Sequence, residues 1–177
     1  AMGIDIQVLD FGLSSPIDPD QISDVLKADK DRKIKAVLAT HVDTSTSMRI
    51  NVKAVSEAIH RANHPALMMS DCIASMGCDR FEMDAWGADV AITGSQKGLM
   101  TPPGLGFVFF NEKAAQTRAA MERVSPYWDW VPRVNPEELY LYFAGTAPTH
   151  HLYGLRASLD MIHAEGIEAV WARHDQL

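Results

Sequence analysis

The chain is short of the features that announce the simplest classes of protein. Its 177 residues contain two cysteines, Cys72 and Cys78, with no companions. Two thiols at that spacing make neither a zinc pattern nor a disulfide framework, and a reducing setting is expected. No stretch reaches the roughly 18 consecutive apolar residues of a spanning helix. No charged-then-apolar leader opens the sequence, so the expected location is the cytoplasm. Positive charge is in deficit: the net charge of −7 disfavours nucleic acid or an anionic membrane as partner. Internal repeats and low-complexity tracts are absent. What remains is 47% apolar and 22% charged, the balance of an ordinary globular chain long enough to bury a core.

Periodicity supplies the fold. Ile4, Ile6 and Val8 alternate with polar residues and predict a half-buried strand. Asp18-Pro19-Asp20-Gln21 predicts a helix start, with Asp18 as cap, Pro19 in the first turn and Gln21 completing a capping box. The charged run from Lys27 to Lys35 is expected to be a solvated loop. Residues 34–39 predict a buried strand, and Val52, Val55 and Ile59 mark a helix. Ala66-Leu67-Met68-Met69 and Val90-Ala91-Ile92 predict two more strands, and Phe107-Val108-Phe109-Phe110 another. Helices are expected over 112–124, 149–164 and from Ile167 to Arg173. Strands alternating with helices predict an α/β domain built on a largely parallel sheet.

Parallel sheets bind ligands beyond the carboxyl ends of their strands. Thr44, Asp71 and Lys97 each follow such an end. Lys97 stands alone in Gly94-Ser95-Gln96-Lys97-Gly98-Leu99-Met100-Thr101-Pro102-Pro103-Gly104-Leu105-Gly106, a run otherwise small, polar or chain-turning. An arbitrary loop lysine is a solvated surface group; a fixed lysine with a lowered pKa attacks carbonyls. Asp71 precedes it by 26 residues (97 − 71). A carboxylate and a lysine on neighbouring strand ends suit pyridoxal phosphate, the lysine forming a Schiff base and the carboxylate keeping the pyridine nitrogen protonated. On its own Asp71 is equally a helix cap or a surface charge.

Other signals carry less. His60 and His64 are spaced i, i+4 but lack a third ligand, so a solvated helix terminus is expected rather than zinc. Gly104-Leu105-Gly106 precedes a strand, whereas the dinucleotide fingerprint opens a helix. Cys72 is expected to be a small buried residue rather than a nucleophile. Tyr127, Trp128 and Trp130 crowd one loop, which either borders the site or packs on the helix at 149–164.

Four segments together resemble the class V aminotransferases. Ser95-Gln96-Lys97-Gly98-Leu99 with Pro102-Pro103-Gly104-Leu105-Gly106 is similar to that family's lysine motif. Ser70-Asp71-Cys72-Ile73-Ala74-Ser75-Met76-Gly77 resembles its aspartate motif, and Thr40-His41-Val42-Asp43-Thr44-Ser45-Thr46 its active-site loop. Gly145-Thr146-Ala147-Pro148 with Leu152-Tyr153-Gly154-Leu155-Arg156 resembles its later phosphate-contacting segment. The nearest branch is the serine/alanine–glyoxylate aminotransferases. The resemblance implies fold type I, with a mixed, mostly parallel large-domain sheet, flanking helices, and an antiparallel strand after the lysine.

It implies roles as well. Lys97 is the Schiff-base lysine and proton carrier, and Asp71 pairs with the pyridine nitrogen. Ile73 packs under the ring, Thr44 lies near the ring hydroxyl, and Gln96 touches the phosphate. Thr146 reaches the phosphate of a neighbouring subunit, which implies a homodimer with shared sites. Two departures stand out: Val42-Asp43 where Gly-Glu is usual, and Gly145 where some relatives place a tyrosine. The implied cofactor is pyridoxal 5′-phosphate, and the implied substrates are a small amino acid (serine, alanine or similar) and a 2-oxo acid (glyoxylate or pyruvate). Residues 1–125 correspond to the second half of the large domain. Residues 126–177 correspond to the aromatic loop, the phosphate-contacting segment and the helices leading to a small domain. Family members are roughly twice this length, so the chain is expected to be a central part. An aminoethylphosphonate-type aminotransferase, or a catalytically incomplete folding and dimerisation core, stands as the alternative; Gln96 speaks against a cysteine desulfurase.

Overall fold

The computed structural model describes residues 3–177. Four strands form one sheet in the order β1 (Ala36–Thr40), β2 (Leu67–Asp71), β3 (Val90–Gly94) and β4 (Gly106–Phe110). The first three run parallel and β4 runs antiparallel to β3. Thr40, Asp71 and Ile92 are register partners across the three parallel strands, so their carboxyl ends lie in a row. The mixed, mostly parallel sheet expected from the sequence is the one observed.

Side chains alternate across the sheet, and each face has its own cover. Helices α1 (Pro19–Ala28) and α2 (Val52–Arg61) bury Ile22, Leu26, Val52, Val55, Ala58 and Ile59 together with Met68 of β2. Val37 and Ala39 of β1 pack against that cluster, beside the short helix α3 (Met83–Trp86). The other face is covered at its lower end by α4 (Glu112–Ala119), whose Ala114 meets Leu67 and Val90. Both long helices of the first layer begin on side-chain caps. Asp18 accepts from the amides of Asp20 (2.9 Å) and Gln21 (3.4 Å), with Pro19 in the first turn. Asn51 accepts from Ala54 N (3.0 Å). The reciprocal bond from Gln21 to the Asp18 amide is not formed among the described residues, so the cap is one-sided. After two short 3-10 turns at Val131–Arg133 and Leu139–Phe143 come α5 (Thr149–Glu165) and α6 (Ile167–His174). Among the described residues no helix is long and apolar enough to cross a membrane.

Several local expectations need correction. Residues 4–8 form no strand: Ile6 is 83% exposed, and no described strand pairs with the segment, so its alternation has no sheet to join. The strand expected over 34–39 begins at Ala36 and is not buried throughout. β1 is an edge strand, and Leu38, on the face away from α1 and α2, is 75% exposed. Helix α4 stops at Ala119 rather than Val124, because beyond Ala114 it has no apolar stripe to bury. The charged run is not wholly solvated either. Asp29 accepts from the amides of Ile34 (2.7 Å) and Lys33 (3.1 Å), and the Ile34 amide above all holds its carboxyl below the usual range. His64 is buried against it rather than solvated: its Nδ1 accepts from Ala66 N (3.1 Å), so Nε2 carries the proton and donates to Asp29 Oδ2 (3.2 Å).

The amino end of the sheet is closed by Asp89, 5% exposed. Its carboxylate accepts from Met68 N (2.8 Å), Asn111 Nδ2 (2.9 Å) and Lys113 Nζ (2.8 Å), tying β2, the start of β3 and the start of α4. Asp89→Ala leaves a buried amide without its acceptor. The expected loss is about 2–3 kcal/mol of unfolding free energy by denaturant titration; an unchanged midpoint would show that the ties are ornamental to stability.

Candidate active site at the strand carboxyl ends

Three turns leave the row of strand ends. The first follows β1 and is organised by Asp43. Its carboxylate accepts from the Thr46 hydroxyl (2.6 Å) and from the amides of Thr46 (3.0 Å) and Ser45 (3.3 Å). The Thr46 hydroxyl in particular holds this carboxyl below its ordinary pKa. Asp43 N bonds Met48 O (2.9 Å) and Val42 bridges Arg49, so the loop closes on itself. Thr44 stands exposed at its tip.

The second turn follows β2. Asp71 Oδ1 accepts from Ile73 N (2.9 Å), an Asx-type turn that fixes the carboxylate and half-buries Ile73 beside it. Asp71 Oδ2 receives no hydrogen bond among the described residues. Cys72 N continues the ladder to Ile92 O (2.9 Å). Cys72 itself is fully buried, and burial pushes its thiol up to about 11, so it is an inert core residue as expected.

The third turn, after β3, carries Lys97. Ser95, fully buried, is its pin: its hydroxyl donates to Pro102 O (2.7 Å) and accepts from Leu105 N (3.3 Å). The Ser95 amide donates to Leu105 O (3.1 Å), and Ser95 O accepts from Thr101 N (2.9 Å). Met100 N closes the tip on Lys97 O (2.9 Å). Helix α5 braces the same turn, Ser158 Oγ donating to Leu99 O and His151 Nε2 to Pro103 O (3.1 Å). Gln96 folds back over Gly94. Lys97 is exposed, and its amine makes no ion pair or hydrogen bond among the described residues.

The second and third turns touch backbone to backbone. A Cβ at Gly77, whose φ is +90°, would sit 2.9 Å from the carbonyl carbon of Gly98. One at Gly98 would strike Met76 O and lie 2.7 Å from Cys78 Sγ. Only glycine permits this approach, and it lies one residue from Lys97.

Thr44, Asp71, Ile73, Gln96 and Lys97 therefore gather at the carboxyl ends of three adjacent strands. Thr146 does not join them: it is exposed between the second 3-10 turn and α5, with no hydrogen bond to the row among the described residues. The aromatic loop goes elsewhere than expected. Trp130 stacks on Phe110 (4.6 Å, 12°), at the end of β4 paired with Val90, remote from the lysine turn, while Tyr127 and Trp128 remain exposed. Missed in the sequence are the pin Ser95, the brace Ser158, and His41, buried behind Asp71 and bonded to Ser75. Burial, first of all, lowers the His41 pKa; Asp79 opposes and Arg49 reinforces the shift. No group of three metal-ligating side chains occurs among the described residues.

The sheet is mixed, and two of its adjacent parallel strands end in an aspartate turn and a lysine turn. The class-V aminotransferase family matches residues 1–177, and the chain belongs to it. It is 39% identical to a serine–glyoxylate aminotransferase of Methylorubrum extorquens, over 98% of this chain and 44% of that protein. It is 37% identical to an L-aspartate–glyoxylate aminotransferase of Paracoccus denitrificans, over 99% of this chain and 44% of that one. The fold superposes on a crystal structure of an alanine–glyoxylate aminotransferase from Nostoc with a TM-score of 0.80 at 26% identity, covering 92% of this chain and 42% of the other. The chain thus spans under half the length of the curated relatives it matches.

The glycine contact makes a direct prediction. Gly98→Ala must part the two turns, and overpacking of this kind costs about 1–3 kcal/mol. Denaturant titration of the variant measures it; a wild-type midpoint would mean that the turns are not clamped.

Proposed function

We propose that the chain carries the cofactor-handling centre of a pyridoxal-phosphate-dependent aminotransferase, which moves an amino group between a small amino acid, such as serine or alanine, and glyoxylate or pyruvate. The observation that carries this is the pair of charges at neighbouring strand ends: Asp71 with one carboxylate oxygen uncommitted, and Lys97 with its amine uncommitted, each on a turn fixed by its own backbone bonds. That donor set fits the cofactor, which needs an anionic partner for its ring nitrogen and an amine at its carbonyl. Membership of the class-V family and the likeness to glyoxylate aminotransferases support the same reading.

When bound, pyridoxal phosphate supplies a carbonyl to take the amino group and a ring to accept the electrons freed at the α-carbon. Asp71 Oδ2 would accept the proton of the ring nitrogen, while Oδ1 stays on Ile73 N and keeps the carboxylate from swinging. Half-buried Ile73 would offer an apolar surface to the ring. Lys97 Nζ would hold the group at its carbonyl and, once the amine of the incoming amino acid has displaced it, would be free to serve as the base that moves the α-proton. Gln96 and the Thr44 hydroxyl, both exposed at the same end, are assigned to the phosphate and the ring hydroxyl. Thr146 is assigned to a neighbouring subunit's phosphate in a homodimer, which agrees with its exposure and with its having no hydrogen bond to this row among the described residues. Residues 1–125 are taken as part of the cofactor-binding domain and residues 126–177 as the passage toward a second one.

The test uses the full-length protein with pyridoxal phosphate, serine or alanine, and glyoxylate. Borohydride reduction followed by peptide mass spectrometry should place the cofactor on Lys97. Lys97→Ala should abolish that adduct and lower kcat by at least about 10²–10⁴-fold. A wild-type protein that forms no adduct, or one on another lysine, would sink the assignment; an adduct on Lys97 without transfer to glyoxylate or pyruvate would sink the substrate class alone.

A further inference from the structure

Behind Asp71 lies a polar pair that the chemistry above does not use. His41 is 1% exposed and Ser75 equally buried, and His41 Nδ1 lies 2.9 Å from Ser75 Oγ. The imidazole is wedged among aromatics, with ring centroids 5.4 Å from Phe81 and 5.7 Å from Trp86. Its own backbone is spoken for on both sides. His41 N donates to Asp71 O (2.8 Å), and His41 O accepts from Ile50 N (2.7 Å), which closes the Thr44 loop. One residue therefore holds the root of the Thr44 turn to the Asp71 strand end by its main chain, and reaches across by its side chain to Ser75.

Ser75 is the hub of the next turn. Its hydroxyl lies 3.4 Å from Cys72 O, and its carbonyl accepts from the amides of Cys78 (2.9 Å) and Asp79 (2.8 Å). The segment it organises presents Gly77 to Gly98, the contact that sets the height of the lysine turn. A continuous physical path thus runs from His41 through Ser75 and Gly77 to Gly98, the neighbour of Lys97.

We propose that the His41–Ser75 pair is a positioning device for the reaction: it locks the aspartate turn and, through the Gly77–Gly98 contact, fixes the lysine turn against it. Neither side chain touches substrate or cofactor. The proposal rests on the assignment of Asp71 and Lys97 above, because positioning matters only if those two must act on one molecule. The geometry favours this over simple space-filling. A core needing only volume would take an apolar ring beside Phe81 and Trp86, and would not bury an imidazole whose polar edge demands a partner.

The experiment compares His41→Phe, His41→Asn and Ser75→Ala with wild type in the full-length protein. Phenylalanine keeps the aromatic volume and loses the bond; asparagine places a polar atom near the position of Nδ1 and can keep it. Two readouts are taken: equilibrium binding of pyridoxal phosphate, and hydrogen exchange of the Met100 and Thr101 amides, which sit in the lysine turn and not beside Ser75. His41→Phe and Ser75→Ala should bind the cofactor about five- to tenfold more weakly, the effect of one buried hydrogen bond, with faster exchange at both amides. His41→Asn should return both toward wild type. Wild-type exchange in Ser75→Ala, or an asparagine variant as impaired as the phenylalanine one, would overturn the proposal. A wild-type protein that binds no pyridoxal phosphate would instead overturn the proposed function, and the exchange readout would still decide whether the pair couples the two turns.

Discussion

The close approach of Gly77 to Gly98 is the constraint on which the rest of the site depends. Parallel strands fix the row of their carboxyl ends, but they leave free how far each turn rises above it. Two facing backbones without side chains remove that freedom for the aspartate and lysine turns, because any Cβ there would collide with main-chain atoms. The pins around the contact then make sense as parts of one support. Ser95 stitches the lysine turn to Pro102 and Leu105, Ser158 of α5 braces Leu99, and Ser75 sets the segment that presents Gly77. Each is a buried hydroxyl bonded to main chain, the cheapest way to hold an irregular backbone inside a protein.

Legibility in the sequence follows the range of the interactions. The cap of α1 was readable at Asp18-Pro19 because a cap is satisfied within three residues. The four strands after residue 35 are readable because each is a short apolar run bounded by polar or chain-turning residues. Ile4, Ile6 and Val8 show the limit of a local pattern: their alternation stays unpaired when no described strand lies beside it. Leu38 belongs with them, since whether an edge strand's outer face is covered depends on chain that its own sequence does not contain. The placement of Asp71 and Lys97 at neighbouring strand ends is legible because each closely follows or ends an apolar run. His41 lies within a motif, yet its pairing with Ser75, 34 residues away, is a tertiary fact without a local signature. The burial of His64 is hidden for the same reason: the i, i+4 spacing from His60 says nothing of Asp29, which arrives from another helix end. Trp130 likewise meets Phe110 at the far end of the sheet, a pairing no period announces.

The sheet carries two aspartate–lysine sets, and the contrast between them separates structure from chemistry. At its amino end Asp89 and Lys113 bond each other at 2.8 Å, and Asp89 takes two further donors, so its charge is consumed in holding strands and helix together. At its carboxyl end Asp71 keeps an oxygen and Lys97 its whole amine uncommitted, though the backbones beneath both are heavily bonded. Residue type and strand-end position are shared by the two sets; what differs is where the hydrogen-bonding capacity goes. A charge that neutralises a neighbour within the fold is unavailable to a ligand, whereas a fixed backbone carrying an unspent side chain is preorganised for one. By that criterion the polar side chains Thr44, Gln96 and Lys97, with the free oxygen of Asp71, make up the reactive face proposed above. Ser75, Ser95, Ser158 and His41 form the frame that holds it, and the exposure of the first group and burial of the second are two sides of one division of labour.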